Sequence, residues 1–302
     1  MKVLIGYDGS ESSMATLEEL KRAGLPAETK ILIVTVGDVW MPATDISNLP
    51  SAVHTSRRVA STVAQMQNQA EQKLTEMKEI SGAGAAQVKS DFPDWQVETE
   101  TMSGDAALAI IRKADEWQAD LIIVGSQNRS TVGRFFLGSV SRKVVEEAKC
   151  SVRVARGAVE TDKNAPRRIV VGIANSESDD LIIKEIARRE WARETVVMLV
   201  SATDTFNENS VQPFQQIIGA QEFQKEAREI LAASGLKVLL TVKEGDAKTI
   251  LLNEAEVLSA DCIFVGSRGI KGILNRILLG SVSSAIVTNA PCPVEVVRSA
   301  AR

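Results

Sequence analysis

The sequence predicts an α/β chain of two tandem, doubly wound domains, each a five-stranded parallel sheet with helices on both faces. Three observations predict it. The chain repeats itself, β-rich apolar runs alternate with helical periodicity in each half, and 302 residues suit two domains of about 150 residues. The repeat is anchored by two loops, GSQNRSTVGRFFLGSVS from Gly125 and GSRGIKGILNRILLGSVS from Gly266. Aligning their GSVS ends pairs Gly6 with Gly172, Gly104 with Gly245, Gly138 with Gly280, Cys150 with Cys292 and Arg156 with Arg298. Between the first two pairs the first half holds 25 more residues, an insertion expected near 38–60 around VWMPATDISNLPSAVH; the second loop has one extra residue. The expected domains are 1–157 and 167–302, joined by a polar linker at 158–166 ending in Pro166.

In the first half the strands are KVLIGY, KILIVTV, VETETM, LIIVGS and VRVAR; in the second they are RIVVGI, TVVMLV, KVLLTV, CIFVGS and VEVVR. Helices are expected from Ser10, Ser51, Asp105 and Ser139 and their counterparts, with Ser or Asp supplying the starts. Five strands alternating with four helices require a parallel sheet covered on both faces. Ligands of such a sheet collect beyond the carboxyl ends of the strands, where the strand order reverses. The first strand ends in GYDGS and the fourth in VGSQN, so if these are neighbours at the reversal, both turns face one crevice. Asp105 and Asp246 follow a glycine at a helix start and read as N-terminal caps rather than catalytic acids.

Composition excludes several classes. A net charge of −4 provides no excess of Lys and Arg for a nucleic-acid backbone. No apolar run reaches the roughly 18 residues of a membrane span, and the N-terminus has no cleavage-site pattern, so a cytoplasmic protein is expected. The three cysteines, Cys150, Cys262 and Cys292, lie on or beside strand-like segments without metal-ligand spacing and read as buried small hydrophobes. The single histidine, His54, excludes a Ser-His-Asp triad, a Cys-His pair and a multi-histidine metal site by counting.

The loops carry the chemistry. A glycine turn that opens a helix presents unpaired N–H groups and the positive end of the helix dipole, which suits a phosphate. Gly138 permits close approach, and the hydroxyls of Ser139 and Ser141 add hydrogen-bonding capacity. Gly125 to Asn128 leans over the same anion, Asn being one of the few residues besides Gly that tolerate a left-handed turn. Asp8, across the crevice, can accept from ribose hydroxyls or an amino group. Neither the P-loop nor the dinucleotide fingerprint is present. A bland tight connection explains one Gly-Ser turn, but not two matched turns found twice in one chain.

These residues resemble the universal stress protein family, whose pattern is G-x-x-G, nine residues, then G-[ST], with a D-x-S turn after the first strand. The resemblance covers Lys2 to Arg156 and Arg168 to Arg298. It implies an adenine nucleotide alpha hydrolase-like fold binding ATP or another adenine nucleotide, usually with Mg2+. Carried over, the first half offers Asp8 for the nucleoside, Val36 for adenine, and Gly125, Asn128, Gly138, Ser139, Val140 and Ser141 for the phosphates. The second offers Gly266, Arg268, Gly269, Gly280, Ser281, Val282 and Ser283. It also implies that the halves pair through their last strands as an internal pseudo-dimer, doubled between chains in a homodimer or not. Arg153 and Glu295 stand at equivalent positions there, as an exposed ion pair of little energetic weight.

Each half departs from the pattern. The first has Asn128 for the second glycine; the second keeps Gly269 but has ten residues before Gly280, and Ala174 where the first has Asp8. Losing that carboxylate costs roughly 1.5–3 kcal/mol, tenfold or more in affinity, which Arg268 offsets in part by pairing with a phosphate. The first half therefore ranks as the better adenosine site, with the second as its rival. The expected function is a nucleotide-binding stress or signalling module that biases a protein partner's surface. A feeble ATPase and a nucleotide-free interaction module are the alternatives. No residue is nominated as a base for water, so slow ATP hydrolysis is left open and a dedicated ATPase is not expected.

Overall fold

The computed structural model describes residues 1–39, 57–126, 137–157, 162, 164–174, 176–203, 212–267 and 279–299. The strands are β1 (Lys2–Gly6), β2 (Lys30–Gly37), β3 (Gln96–Ser103), β4 (Leu121–Gly125) and β5 (Ser151–Ala155), then β6 (Arg168–Ile173), β7 (Val196–Thr203), β8 (Lys237–Glu244), β9 (Cys262–Gly266) and β10 (Val294–Val297). The helices are α1 (Glu11–Leu20), α2 (Arg57–Asp91), α3 (Ala106–Trp117) and α4 (Ser139–Glu147), then α5 (Glu177–Ala187), α6 (Gln212–Ala233), α7 (Ala247–Leu258) and α8 (Ser281–Asn289). All ten expected strands form. The strands form one sheet in the order β3-β2-β1-β4-β5-β10-β9-β6-β7-β8. Pairing is parallel within each half, and the order reverses at β1/β4 and at β6/β9, as the crossover pattern requires.

The halves join where β5 and β10 pair antiparallel, with Val152 opposite Val296, Arg153 opposite Glu295 and Val154 opposite Val294. Alternation along these strands separates two environments. On one face the valines belong to a single apolar cluster that runs through the seam, from Leu4 and Ile122 to Val170 and Ile263. On the other face each half has its own core, one around Ile5, Leu17 and Ile33 and one around Ile169, Ile182 and Phe264. Between these two cores lie Arg153 and Glu295.

That pair corrects the expectation of an exposed, energetically minor contact: both residues are 0% exposed. Arg153 donates to Glu295 at 3.0 Å and to Glu19 at 2.5 Å; Arg189 donates to Glu295 at 2.5 Å and to Glu185 at 2.7 Å. Both guanidinium groups also sit over the ring of Phe264, 5.7 and 5.3 Å from its centre. Joining the two edges covers them with the helices of both halves, which removes the water that the sequence reading assumed. Buried ions cost several kcal/mol each unless paired; here each carboxylate meets a guanidinium.

Part of the extra length in the first half is helix: α2 has 35 residues against 22 in its counterpart α6. The remainder of the insertion, with Ser51 and His54, lies outside the described residues. Ser10 caps α1, Asp105 caps α3 through the Leu108 amide at 2.8 Å, and Asp246 caps α7 through the Thr249 amide at 3.0 Å. The expectation of Ser or Asp at every start fails at α4 and α8. Their cap residues are Gly138 and Gly280, with no side-chain hydrogen bond, and Ser139 and Ser281 are the first helical residues. The three cysteines are buried and free. Among the described residues no helix is long and apolar enough to cross a membrane.

Candidate functional site

Each reversal opens a crevice. In the first half it is lined by Asp8 after β1, Val36 near the end of β2, Gly125 at the end of β4, and Gly138 with Ser139, Val140 and Ser141 at the start of α4. Its volume is about 180 Å3. The second, about 500 Å3, is lined by Gly266, Gly280, Ser281, Val282 and Ser283, together with Ala174. Asn128, Arg268 and Gly269 lie outside the described residues.

The turns are held together from within. Ser141 donates its hydroxyl to the Gly125 carbonyl, and Ser283 donates to the Gly266 carbonyl at 2.6 Å. The end of the fourth strand is thereby fixed to the first turn of the following helix. Gly125 has to be glycine, because a Cβ there would lie 2.0 Å from the Ser12 carbonyl oxygen. In the second half Ser178 stands in the same relation to Gly266, with its Oγ 2.5 Å from a would-be Cβ. The uncapped α4 and α8 amides therefore lie beside a backbone packed tightly onto the first turn of α1 or α5. A helix opened without a side-chain cap presents N–H groups that have no intrahelical partner and the positive end of its dipole, an arrangement chemically suited to an anion.

Opposite these helix starts the halves differ. Asp8 is exposed, and its Oδ1 accepts from the Ser10 amide at 3.0 Å and the Ser10 hydroxyl at 2.6 Å. Partial desolvation works against its ionisation, but the Ser10 bonds outweigh it and hold the carboxyl below its usual range. In the second half the same task falls to Asp179, which sequence reasoning missed. Its Oδ2 accepts from the Ala174 and Ser176 amides at 3.0 and 2.9 Å, and its Oδ1 from the Ser176 hydroxyl at 3.1 Å. Asp179 is 1% exposed. The carboxylate that anchors the turn serine is exposed at the crevice in one domain and buried in the crevice lining in the other. The Ser176-to-Asp179 spacing is a capping-box signal that could have found it. Lys248, also missed, lines the second crevice; its place in the first half is held by Ala107, and only the helix phase shows that it faces inward.

Among the described residues no group of three or more His, Cys, Asp or Glu could hold a metal ion. The first crevice offers hydroxyls, amides and the Asp8 carboxylate; the second offers hydroxyls, amides, the carboxylates of Asp179 and Asp246, and the Lys248 ammonium.

The model of the universal stress protein family matches residues 1–156 and 166–298. A universal stress protein of Mycolicibacterium smegmatis is 28% identical over 212 residues, which are 67% of this chain and 69% of that one. The solved structure of a universal stress protein from Archaeoglobus fulgidus superposes with a TM-score of 0.64 at 21% identity, covering 98% of both chains. A solved family protein from Arabidopsis thaliana, with AMP bound, matches 45% of this chain at 19% identity and a TM-score of 0.35. With the repeat, the reversal crevices and the glycine-opened helices in both halves, the chain belongs to the universal stress protein family and carries the family's domain twice.

Proposed function

We propose that this protein is an adenine-nucleotide-binding stress-response or signalling module. The nucleotide, ATP or a relative, lies between the end of β1 and the start of α4, with Asp8 toward the ribose and the Gly138–Ser141 amides toward the phosphates. One observation carries this reading: α4 and α8, at the strand-order reversals, are opened by glycine without a side-chain cap. By contrast, α1, α3 and α7 are capped by side chains and α5 carries a capping box of Ser176 and Asp179, so among these described starts the glycine-opened pair is the one suited to a phosphate. Val36, the next-to-last residue of β2, lines the same crevice and would supply backbone groups for an adenine edge.

Magnesium enters this reading on the nucleotide's own phosphates, since Mg2+ keeps most of its waters and needs one or two carboxylates at most; Asp8 is the described carboxylate that lines the first crevice. Occupancy would bias the loops around the crevice and through them a surface for a protein partner. Hydrolysis is secondary to binding.

Domain 2 is the second reading, favoured by its larger cavity and by Lys248, a cation for phosphate that the first crevice lacks at this position. Mass spectrometry of the nucleotide released by denaturing freshly purified protein tests both. Wild type should release an adenine nucleotide, Asp8→Ala should lose it if domain 1 is the site, and Gly280→Val should lose it if domain 2 is. Wild type that carries none, and takes up none with ATP and magnesium added, ends the reading.

A further inference from the structure

Just past each last strand lies an arginine that nucleotide binding does not use, Arg156 after β5 and Arg298 after β10. They are 3% and 5% exposed, and each reaches into the other domain. Arg298 donates through Nη2 to the Val145 carbonyl in the last turn of α4, and its Nη1 lies 3.5 Å from the Cys150 carbonyl. Arg156 donates through Nη2 to the Val287 carbonyl in the last turn of α8. The end of a helix leaves carbonyls without partners and carries the negative end of its dipole, so a buried cation there satisfies both. Burial lowers both guanidinium groups to about 10, which leaves them charged at neutral pH.

The residue before each arginine holds the crevice turn of its own domain. The Val297 carbonyl accepts from the Ser267 amide at 3.1 Å and the Ser267 hydroxyl at 3.4 Å, and Ser267 follows Gly266 in the second crevice. The Ala155 carbonyl accepts from the Ser126 amide at 3.1 Å and the Ser126 hydroxyl at 2.9 Å, and Ser126 follows Gly125 in the first. Antiparallel pairing of β5 and β10 causes this arrangement: the crevices open at opposite ends of the sheet, so the crevice end of one domain meets the C-terminal end of the other's cradle helix. With nine residues each, α4 and α8 are about 13 Å long, short enough that a shift at Val145 or Val287 is carried to Gly138 or Gly280.

We propose that Arg298 and Arg156 are cross-domain positioning residues that link the two crevices. Arg298 sets the α4 cradle of domain 1 against the first turn of domain 2's crevice, and Arg156 does the reverse. What fills the crevices rests on the nucleotide reading above; the mechanical link does not.

Amide hydrogen exchange on the full chain, without nucleotide and then with ATP and magnesium, tests this. Arg298→Met should speed exchange about tenfold or more at residues 139–148, as expected for loss of a charged hydrogen bond, and leave 281–290 as in wild type. Arg156→Met should show the mirror pattern, and Arg298→Lys, which keeps a charged donor, a smaller effect at the same residues. Should Arg298→Met unfold as a whole, the lysine variant and Arg156→Met carry the same test. Loosening confined to the arginine's own domain, or equal loosening of α4 and α8, overturns the proposal. A crossed exchange pattern in a protein that binds no ATP would leave the link standing and remove the nucleotide reading alone.

Discussion

Arg153 Nη1 donates to Glu295 Oε2 across 3.0 Å, at the centre of the β5–β10 pairing and with both side chains wholly buried. These two residues are equivalents in the repeat, so the pseudo-twofold relation sets a cation against an anion where two identical halves would set like against like. Glu295→Leu leaves Arg153 and Arg189 with one carboxylate fewer in a dry site. It should destabilise the chain by about 3–5 kcal/mol, read as a lower denaturation midpoint in urea; a change below about 1 kcal/mol would mean that the network is wetter than its burial indicates.

The same network makes stability depend on acid. Burial alone would raise the Glu295 pKa, but Arg189 and Arg153 hold it below the 4.5 of an ordinary glutamate. A carboxyl whose folded pKa is depressed contributes stability that is present above its unfolded pKa and is lost as pH falls through the folded value. The midpoint should therefore drop below about pH 4.5, with a shallower drop in Glu295→Gln. At the alkaline end, burial pushes Cys150 and Cys292 up to about 12 and Cys262 up to about 11, against 9.0 for an ordinary thiol. Stability from these groups is full below pH 9 and declines above it, and a triple Cys→Ser or Cys→Ala variant should flatten that decline.

Gly125→Ala places a methyl group 2.0 Å from a backbone oxygen of α1, and neither side can rotate away. Overpacking of this kind costs about 1–3 kcal/mol. Thermal melting should show a larger loss for Gly125→Ala than for Gly266→Ala, where the nearest atom is the Ser178 hydroxyl at 2.5 Å.

Asp8 and Asp179 hold equivalent serines, yet their replacement should separate function from stability. Asp8→Ala should weaken nucleotide binding tenfold or more with little change in melting temperature, because the carboxylate is exposed. Asp179→Ala should cost about 1–2 kcal/mol of stability, as loss of a buried cap does. Isothermal titration paired with melting curves checks both, and the reverse assignment of the two effects would refute the distinction.

Much of the fold was legible. Ten strands, their alternation with helices and the two-domain repeat follow from short apolar runs, turn glycines and the GSVS echo, all local in sequence. The candidate site was legible as residue types and spacing: Asp8, Gly125 and Gly138 meet at one crevice because the crossover pattern forces β1 beside β4. Asp179 was missed because a carboxylate in a helix's first turn reads as a surface residue until its burial is known, and Lys248 because its direction depends on helix phase.

The sequence by itself determined the strands, the repeat and the glycine-opened helices, since each depends on side-chain period and backbone freedom over a few residues. Only the tertiary structure decided that Arg153 and Glu295 are buried, that Arg156 and Arg298 cross between domains, and that the crevices differ in size. Those properties arise from the antiparallel meeting of β5 and β10, which brings residues more than a hundred positions apart into a space without water.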